Sequence, residues 1–270
     1  MRKRTKRAEG HDNSGAGNSA ATLTRGLEIL RAFKAEDATL GNQDLIERTR
    51  LPKATISRLT ATLVSLGYLH YDDDLGRYSI GPATVSLGYS ALSSSAVVHM
   101  ARPLMQELAN ETGAAVALGM RDGAEMVYAA NCRSMAPVSL QLNVGSRLPI
   151  WRTAMGLAYV ADSDPATRKQ LVAQMVAAEP ARKGKIIELV DQAVVDLAER
   201  GFVSIFGTWY SYINAVGVTF KPTDGSPRVA LTCGGIVDIV PREACLEVVG
   251  PKLVKLVTRL GAVLEGRPAP

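Results

Sequence analysis

The stretch LPKATISRLTATLVSLGY, residues 51–68, decides the fold of the N-terminal part of this chain. It predicts a helix over about 53–66, which follows a Leu-Pro turn and stops before Gly67, a residue type that commonly ends helices. The residues that recur at helical spacing are Ile56, Leu59, Leu63 and Leu66, and we expect Ile56, Leu59 and Leu63 to face inward. The opposite side of this helix is polar and begins with a lysine.

The elements on both sides of this helix complete a winged helix-turn-helix. A first helix is predicted to begin at Thr24, which is a suitable N-cap, and a short second helix follows over about 42–49. Residues 68–71 and 77–80 are typical of two short strands, and residues 72–76 form the turn between them. Three helices and a hairpin within about sixty residues indicate a winged helix-turn-helix.

In such a fold the second helix of the motif lies in the major groove, with its N-terminal residues near the base edges. We therefore predict a DNA interface formed by Lys53, Thr55, Ser57 and Arg58, with Arg25 of the first helix and Arg77 of the wing on the phosphate backbone. Taken singly, each of these residues is explained better as a solvated position; only their combination favours DNA. The acidic run 72–74 would repel phosphate, so we place it at the wing tip or on its outer side.

The positive charge of the chain is concentrated at its start. The formal net charge is +5, and residues 1–10 hold five lysines or arginines against one glutamate. Such a tail suits a polyanion, because cationic side chains displace counterions from phosphates. Residues 11–20 are rich in Gly, Ser and Asn, so we predict that 1–21 is a disordered basic tail. A merely solubilising tail explains the composition equally well.

A linker helix and a larger domain follow the winged helix-turn-helix, which we place at 22–81. The linker helix is predicted over 82–101 and contains no charged residue before Arg102. Its apolar line should be buried against another subunit or domain, and consists of Val85, Tyr89, Leu92, Ala96 and Met100. The domain, over 102–265, reads as a mixture of hairpins and helices, with Asp122-Gly123 as a strong hairpin turn.

The order of elements in this domain predicts an α+β fold with an antiparallel sheet. The strands are expected at about 115–120, 125–130, 138–142, 202–206, 215–220 and 228–233. The helices are expected at about 103–112, 153–162, 165–178, 185–200 and 241–264, the last one interrupted at Gly250-Pro251. Pro103 is expected at the first helical position of its helix.

The sequence resembles the IclR family of bacterial regulators. The resemblance lies in LTRGLEIL at 23–30, LPKATISRL at 51–59, LGY at 66–68, YSIGP at 78–82, GSRLP at 145–149 and TAMG at 153–156, and it spans about 23–264. It implies a winged helix, a linker helix and a GAF-like effector-binding domain. It also implies a homodimer or homotetramer on a palindromic operator, most often as a repressor controlled by a small molecule.

The effector pocket implied by the resemblance departs from the family pattern. Thr208, Tyr212 and Gly217 stand where family members usually carry a Glu and an Ala-x-Pro. On the following strand, Thr232-Cys233-Gly234-Gly235 replaces the Ser-x-Ser-Gly of the family, so one of two expected hydroxyls is lost. We predict an effector site formed by Thr153, Ala154, Gly156, Trp209, Tyr212, Ala215, Thr232 and Gly234. The start of a helix near Thr153 suits a carboxylate, and the aromatic group suits an apolar or aromatic effector. Packing of these aromatics in the core or in an interface is an equal alternative.

Other functions compete with this hypothesis. The three histidines are far apart and no nucleophile or phosphate-binding motif is present, so we expect neither catalysis nor a metal or other cofactor. A redox sensor using Cys132 and Cys233, or a regulator whose pocket is closed, would also fit. Cysteine spacing argues against disulfides, and neither a signal peptide nor a membrane span is evident, so we expect a cytoplasmic protein without a membrane partner.

Overall fold

A computed structural model describes residues 13–135 and 142–267, with side chains from residue 19 onward. The chain divides into two compact units, Met1–Ser90 and Ala91–Pro270. The boundary lies inside the region where the sequence predicts a linker helix. The basic residues 1–10 and most of the strand expected at 138–142 lie outside the described residues.

Three helices form the body of the N-terminal unit: α1 (Asn13–Arg31), α2 (Asn42–Thr49) and α3 (Lys53–Ser65). The core that holds them together consists of Ile29, Leu40, Leu45, Ile56, Leu59, Leu69 and Tyr78. The expected start of α1 at Thr24 is wrong, and part of the supposed tail is helical. Thr24 lies inside α1, where its hydroxyl donates a hydrogen bond to the Ala20 carbonyl one turn earlier.

A small antiparallel sheet forms the wing. Its strands β1 (Leu40–Gly41), β2 (Leu69–Asp72) and β3 (Arg77–Ile80) lie in the order β1-β3-β2. The acidic run occupies the turn between β2 and β3, as expected, and Asp72 accepts hydrogen bonds there from the amides of Asp74 and Leu75. The winged helix-turn-helix is confirmed, with a two-residue strand β1 that the sequence did not predict.

The expected linker helix is two helices, α4 (Pro82–Ser93) and α5 (Ala96–Thr112). The break comes at Ser94 and Ser95, where the Ser95 hydroxyl accepts a hydrogen bond from the Val98 amide and starts α5. Pro103 therefore lies inside α5 and not at its start. The break also changes the buried side: Val97 and Val98 are buried in α5, where the sequence pointed to Ala96 and Met100.

The C-terminal unit is built on one antiparallel sheet. Its strands are β4 (Ala115–Asp122), β5 (Glu125–Cys132), β6 (Arg147–Pro149), β7 (Val203–Phe206), β8 (Ile213–Phe220) and β9 (Val229–Ile236), in the order β6-β5-β4-β9-β8-β7. The Asp122-Gly123 turn joins β4 to β5, as expected, and Gly123 has a φ of +63°. The sequence missed the three-residue strand β6.

Helices cover both faces of this sheet. One face packs on α5 and on the terminal helix α10 (Gly250–Leu264), and the other on α6 (Ala154–Ala161), α7 (Pro165–Ala178) and α8 (Lys183–Arg200). A short helix α9 (Arg242–Ala244) and a wide turn at Cys245–Val249 precede α10, so the irregularity comes before Gly250 and not at it. The predicted α+β class with an antiparallel sheet is confirmed.

No helix in the two described stretches is both long enough and apolar enough to cross a membrane.

Candidate nucleic-acid interface and effector pocket

The inner side of α3 is fixed to the wing. Ile56 and Leu59 are buried in the core of the N-terminal unit, together with the polar residue Thr60. The Thr60 hydroxyl lies 2.9 Å from the Ile56 carbonyl and 3.2 Å from the hydroxyl of Tyr78, which is buried on β3. Because these contacts set the rotation of α3, its other side faces outward.

The outer side of α3 carries the residues predicted to read DNA. Lys53, Ser57 and Arg58 are exposed and Thr55 is half-buried. The N-cap residue Pro52 offers no side-chain hydrogen bond to the first turn. The amides of Lys53 and Ala54, the first two residues of the helix, have no intrahelical acceptor either, and they lie at the positive end of the helix dipole. This end of α3 is therefore suited to a phosphate group.

Arg77 has an internal role that the sequence did not indicate. Its guanidinium donates hydrogen bonds to the hydroxyl and carbonyl of Thr39, and forms a 2.8 Å ion pair with Asp44 at the start of α2. The Gly41 amide, and then Arg77, hold the pKa of Asp44 below its ordinary value. The contact of Arg77 with the DNA backbone stays a prediction, and the structure adds that its guanidinium joins β3 to α2.

Two further arginines frame this interface. Arg25, which the sequence places on the phosphate backbone, is exposed on α1. Sequence reasoning missed Arg50, which lies in the turn between α2 and α3 with a φ of +57°. Nothing in a single sequence shows that a residue in a turn adopts a left-handed backbone, so Arg50 gave no signal.

The candidate effector pocket lies between the sheet and the first turn of α6. Neighbouring strands place small residues side by side on its floor: Ala117 pairs with Thr232, and Ala115 pairs with Gly234, which pairs in turn with Ala215. The full lining consists of Ala115, Ala117, Tyr128, Asn131, Leu142, Leu148, Thr153, Ala154, Met155, Ile205, Trp209, Ile213, Ala215, Thr232 and Gly234. The cavity is small, with a volume of about 40 Å³.

Two residues of the predicted effector site, Gly156 and Tyr212, are not part of the lining of this cavity. Gly156 donates its amide to the Thr153 hydroxyl, and a Cβ atom there would lie 2.0 Å from the Ile150 carbonyl oxygen, so this glycine serves packing. Tyr212 is 53% exposed and stacks on Tyr210 outside the pocket. The other six predicted residues line the cavity, and Trp209 contacts both the cavity and the Tyr210 ring.

A glycine on β8 brings the start of α6 against the sheet. A Cβ atom at Gly217 would lie 2.3 Å from the Ala154 carbonyl oxygen, so a larger residue would push the helix away. The Thr153 hydroxyl caps α6 at the Gly156 amide. The amides of Ala154 and Met155, which have no intrahelical acceptor, open the helix at the cavity.

The polar groups that line the pocket are uncharged. No charged side chain is among the described residues of its lining, and burial holds the pKa of Tyr128 well above its ordinary value, so its phenol stays protonated. The Thr232 hydroxyl donates to the Val216 carbonyl. Asn131, which sequence reasoning missed, donates its amide to the Leu142 carbonyl, but its buried Oδ1 accepts no hydrogen bond from the described residues.

The cysteines lie in surroundings that disfavour thiolates. All three are buried, and desolvation raises the pKa of Cys233 to about 12, that of Cys245 to about 11 and that of Cys132 in the same direction. Reactive cysteines need thiolate character and access, so this environment argues against a redox sensor based on Cys132 and Cys233. Within the described ranges, no group of three or more His, Cys, Asp or Glu residues could hold a metal ion.

Two family models match the chain. The IclR helix-turn-helix domain matches residues 22–73, and the C-terminal domain of the bacterial transcriptional regulator IclR matches residues 89–187. The first match covers the second half of α1, all of α2 and α3, and β2, and it ends before β3. The second covers β4, β5, β6, α6 and α7, which include one side of the pocket.

Relatives and solved structures agree with these matches. The HTH-type transcriptional regulator TsaQ1/TsaQ2 of Comamonas testosteroni is 40% identical over 56% of this chain and 55% of its own length. The chain spans about half the length of the curated relatives it matches. A crystal structure of an IclR-family transcriptional regulator from Brucella abortus is 33% identical over 94% of this chain and 96% of its own, with a TM-score of 0.82.

A more distant solved structure shares the fold. It is an IclR homologue of Microbacterium hydrocarbonoxydans in complex with 4-hydroxybenzoate, and it covers 91% of this chain and 98% of its own. Its TM-score is 0.67 and its sequence identity is 19%. At that identity the likeness concerns the fold alone.

Proposed function

Because this chain belongs to the IclR family of bacterial transcriptional regulators, we propose that it is a sequence-specific DNA-binding transcriptional regulator. The observation that carries the proposal is the exposed leading edge of α3 on a helix whose rotation Thr60 and Tyr78 fix. Lys53, Thr55, Ser57 and Arg58 discriminate bases or hold phosphates at this edge, and Arg25 contacts the backbone. By family analogy, we propose that regulation is repression.

Two copies of the chain bind a palindromic operator in this proposal. An apolar groove on the N-terminal unit, with a volume of about 740 Å³, runs between α1, α3 and α4. Leu23, Leu27, Leu66 and Leu87 line it and are each more than half exposed in the single chain. A contiguous apolar surface of this kind is typical of an interface, and a twofold dimer matches the symmetry of a palindrome.

The proposed signal is a small molecule in the pocket of the C-terminal unit. The amides that open α6 suit a carboxylate, and the apolar walls suit an aliphatic or aromatic body. The Asn131 Oδ1, which accepts no hydrogen bond from the residues that the structure describes, suits a hydroxyl or amine hydrogen on the effector. The effector acts only through its different affinities for the DNA-competent and DNA-incompetent arrangements. The complex of the Microbacterium homologue with 4-hydroxybenzoate makes hydroxylated aromatic acids the first compounds to test.

A second candidate function keeps the DNA binding and drops the effector. The cavity volume of about 40 Å³ is well below the roughly 150 Å³ of a cavity that holds benzene. A ring can enter only if Trp209 or another wall residue moves. In this second candidate the pocket stays closed and the chain binds its operator constitutively.

The DNA-binding proposal is tested by footprinting and by affinity measurement on the DNA that flanks the gene. Arg58→Ala should weaken operator binding roughly 10- to 100-fold, because an arginine on a base edge contributes on the order of 1–3 kcal/mol. Arg182→Ala, an exposed arginine of the C-terminal unit, is the matched control and should bind as the wild type does. Equal binding by Arg58→Ala and the wild type would contradict the assignment of α3 as the reading helix.

The effector proposal is tested by thermal unfolding with 4-hydroxybenzoate, 4-methylbenzoate and benzoate. A ligand that binds the folded chain raises the unfolding midpoint by mass action. We expect 4-hydroxybenzoate to raise it most, and Asn131→Leu to remove its advantage over 4-methylbenzoate. If none of a wider panel of small carboxylates changes the midpoint or the operator affinity, the second candidate is correct.

A further inference from the structure

Arg50 occupies a backbone conformation that glycine normally takes. It follows the last residue of α2 and has φ +57° and ψ +19°, in the left-handed helical region. Among the residues that the structure describes, Arg50 is the only one other than glycine that has a positive φ. An L-residue with a Cβ is disfavoured there, whereas glycine and, to a lesser degree, asparagine adopt this region readily.

The neighbours of Arg50 impose this conformation. The Arg50 amide donates to the Ile46 carbonyl at 2.8 Å and ends α2. The hydroxyl of the preceding residue, Thr49, donates to the Leu45 carbonyl at 2.6 Å and accepts from the Leu51 amide at 3.3 Å. Pro52 then has a fixed φ and precedes α3 directly. The chain is held before and after Arg50, so the strain cannot relax without moving α3.

The Arg50 side chain differs from the neighbouring arginines in its ion pairing. Arg48 pairs with Asp37 and Arg77 pairs with Asp44, whereas Arg50 is exposed and forms no ion pair with any described residue. It lies three residues before Lys53, where α3 starts without a side-chain cap. Strained residues persist where the surrounding structure holds them and tend to occur at functional sites.

We propose that Arg50 is a phosphate-contacting residue of the DNA interface. Its guanidinium binds a phosphate of the duplex backbone adjacent to the one that faces the first turn of α3. This contact adds affinity that does not depend on base sequence, and the left-handed backbone lowers the stability of the N-terminal unit in exchange. The proposal rests on the proposed DNA-binding function and adds a residue to the interface.

The test compares four variants of the full chain. Arg50→Gly and Arg50→Asn remove the charge and suit the backbone, Arg50→Lys keeps the charge, and Arg50→Gln removes the charge without suiting the backbone. Binding is measured on a random-sequence duplex and on the operator fragment between about 50 and 200 mM salt. Unfolding midpoints are measured on the same samples.

We expect Arg50→Gly, Arg50→Asn and Arg50→Gln to bind both duplexes several-fold more weakly than the wild type. The slope of log affinity against log salt should fall by about 0.9, the value for one lost phosphate contact. Arg50→Lys should keep the wild-type slope. Arg50→Gly should unfold a few degrees higher than the wild type, and Arg50→Gln should not.

Two outcomes separate the inference from the function on which it rests. If the wild type binds and the three uncharged variants keep its salt slope, Arg50 contacts no phosphate, and the inference is wrong while the proposed function stands. If the wild type binds no duplex at low salt, the proposed function fails and the inference fails with it.

Discussion

At the scale of the residue, Arg77 shows how one side chain joins separate parts of the DNA-binding unit. Its ion pair with Asp44 connects residues 33 positions apart, and its hydrogen bonds to Thr39 reach 38 positions. One contact reaches the residue before β1 and the other reaches α2, so the guanidinium holds the wing to the beginning of α2. The α2 position in turn sets the turn that leads into α3.

Removal of this side chain should loosen the N-terminal unit. We expect Arg77→Ala to lower the unfolding midpoint by a few degrees at neutral pH, because Asp44 loses its partner. In a double-mutant cycle with Asp44→Ala, measured by chemical denaturation, the two changes should not be additive. Additive changes would show that the pair contributes nothing to stability.

The pH dependence of this effect has a definite sign. The folded-state pKa of Asp44 is lowered, first by the Gly41 amide and also by Arg77, so the carboxylate stabilises the fold above its unfolded pKa. This contribution is lost as the pH falls through the lowered, folded-state pKa. The difference in midpoint between the wild type and Arg77→Ala should therefore shrink in acid. A difference that stays constant down to strongly acidic pH would rule out this carboxylate as the partner.

At the scale of the element, the starts of helices determine both candidate sites. Thr153 caps α6 at the edge of the pocket, whereas Pro52 leaves α3 without a side-chain cap. The first residues of the capped helix line the cavity, and those of the uncapped helix are exposed, where the proposed phosphate would bind. The difference follows from one residue at each N-cap.

The cap of α6 can be removed without changing the lining greatly. Thr153→Ala takes away the acceptor of the Gly156 amide and should lower the free energy of unfolding of the C-terminal unit by about 1–2 kcal/mol. Thr153→Ser, which retains the hydroxyl, should recover most of that loss, as measured by urea denaturation. If both variants were equally unstable, the Thr153 methyl group and not the cap would be the stabilising part.

Elements with local signals were predicted well from the sequence. Asp164-Pro165 starts α7, whose limits agree with the predicted 165–178, and Asp122-Gly123 forms the expected turn. The break between α4 and α5 was missed, because the apolar spacing continues through it and only the Ser95 cap marks it. β6 was missed because three residues carry no periodicity, and its pairing partner lies 22 positions away on β5.

The residues of the two candidate sites could be predicted from the sequence to different degrees, because one site lies on a single helix and the other is assembled from several elements. The leading edge of α3 follows from its own helical periodicity, so its exposed residues could be named in advance. The pocket is assembled from β4, β5, β8, β9 and α6, and the row that joins Asn131 to Ala117 and Thr232 exists only after the strands pair. No local pattern marks Asn131 as a lining residue. Gly156 was predicted to belong to the site because it is close in sequence to Thr153 and Ala154, which line the cavity.

At the scale of the whole molecule, the palindromic operator proposed above requires a symmetric assembly of the chain. A winged helix contacts one half-site, and discrimination of a palindrome needs two such units at a fixed spacing. The groove between α1, α3 and α4 offers apolar surface on the same unit that carries the reading helix. If two copies meet at this groove, the geometry of their contact sets the distance between the two α3 helices.

A charge placed in this groove should separate the two DNA-binding units. Leu27 is 51% exposed and lines the groove, so Leu27→Glu should leave the single chain folded while burying an unpaired carboxylate in any contact between copies. We expect the affinity for the palindromic operator to fall toward that for a single half-site, and sedimentation to show a smaller or more weakly associated species. Val195→Glu, at a residue that is 45% exposed on α8, is the control and should preserve both properties. Wild-type operator affinity and sedimentation in Leu27→Glu would mean that this groove is not where the copies meet, and the dimer would have to form through the C-terminal unit.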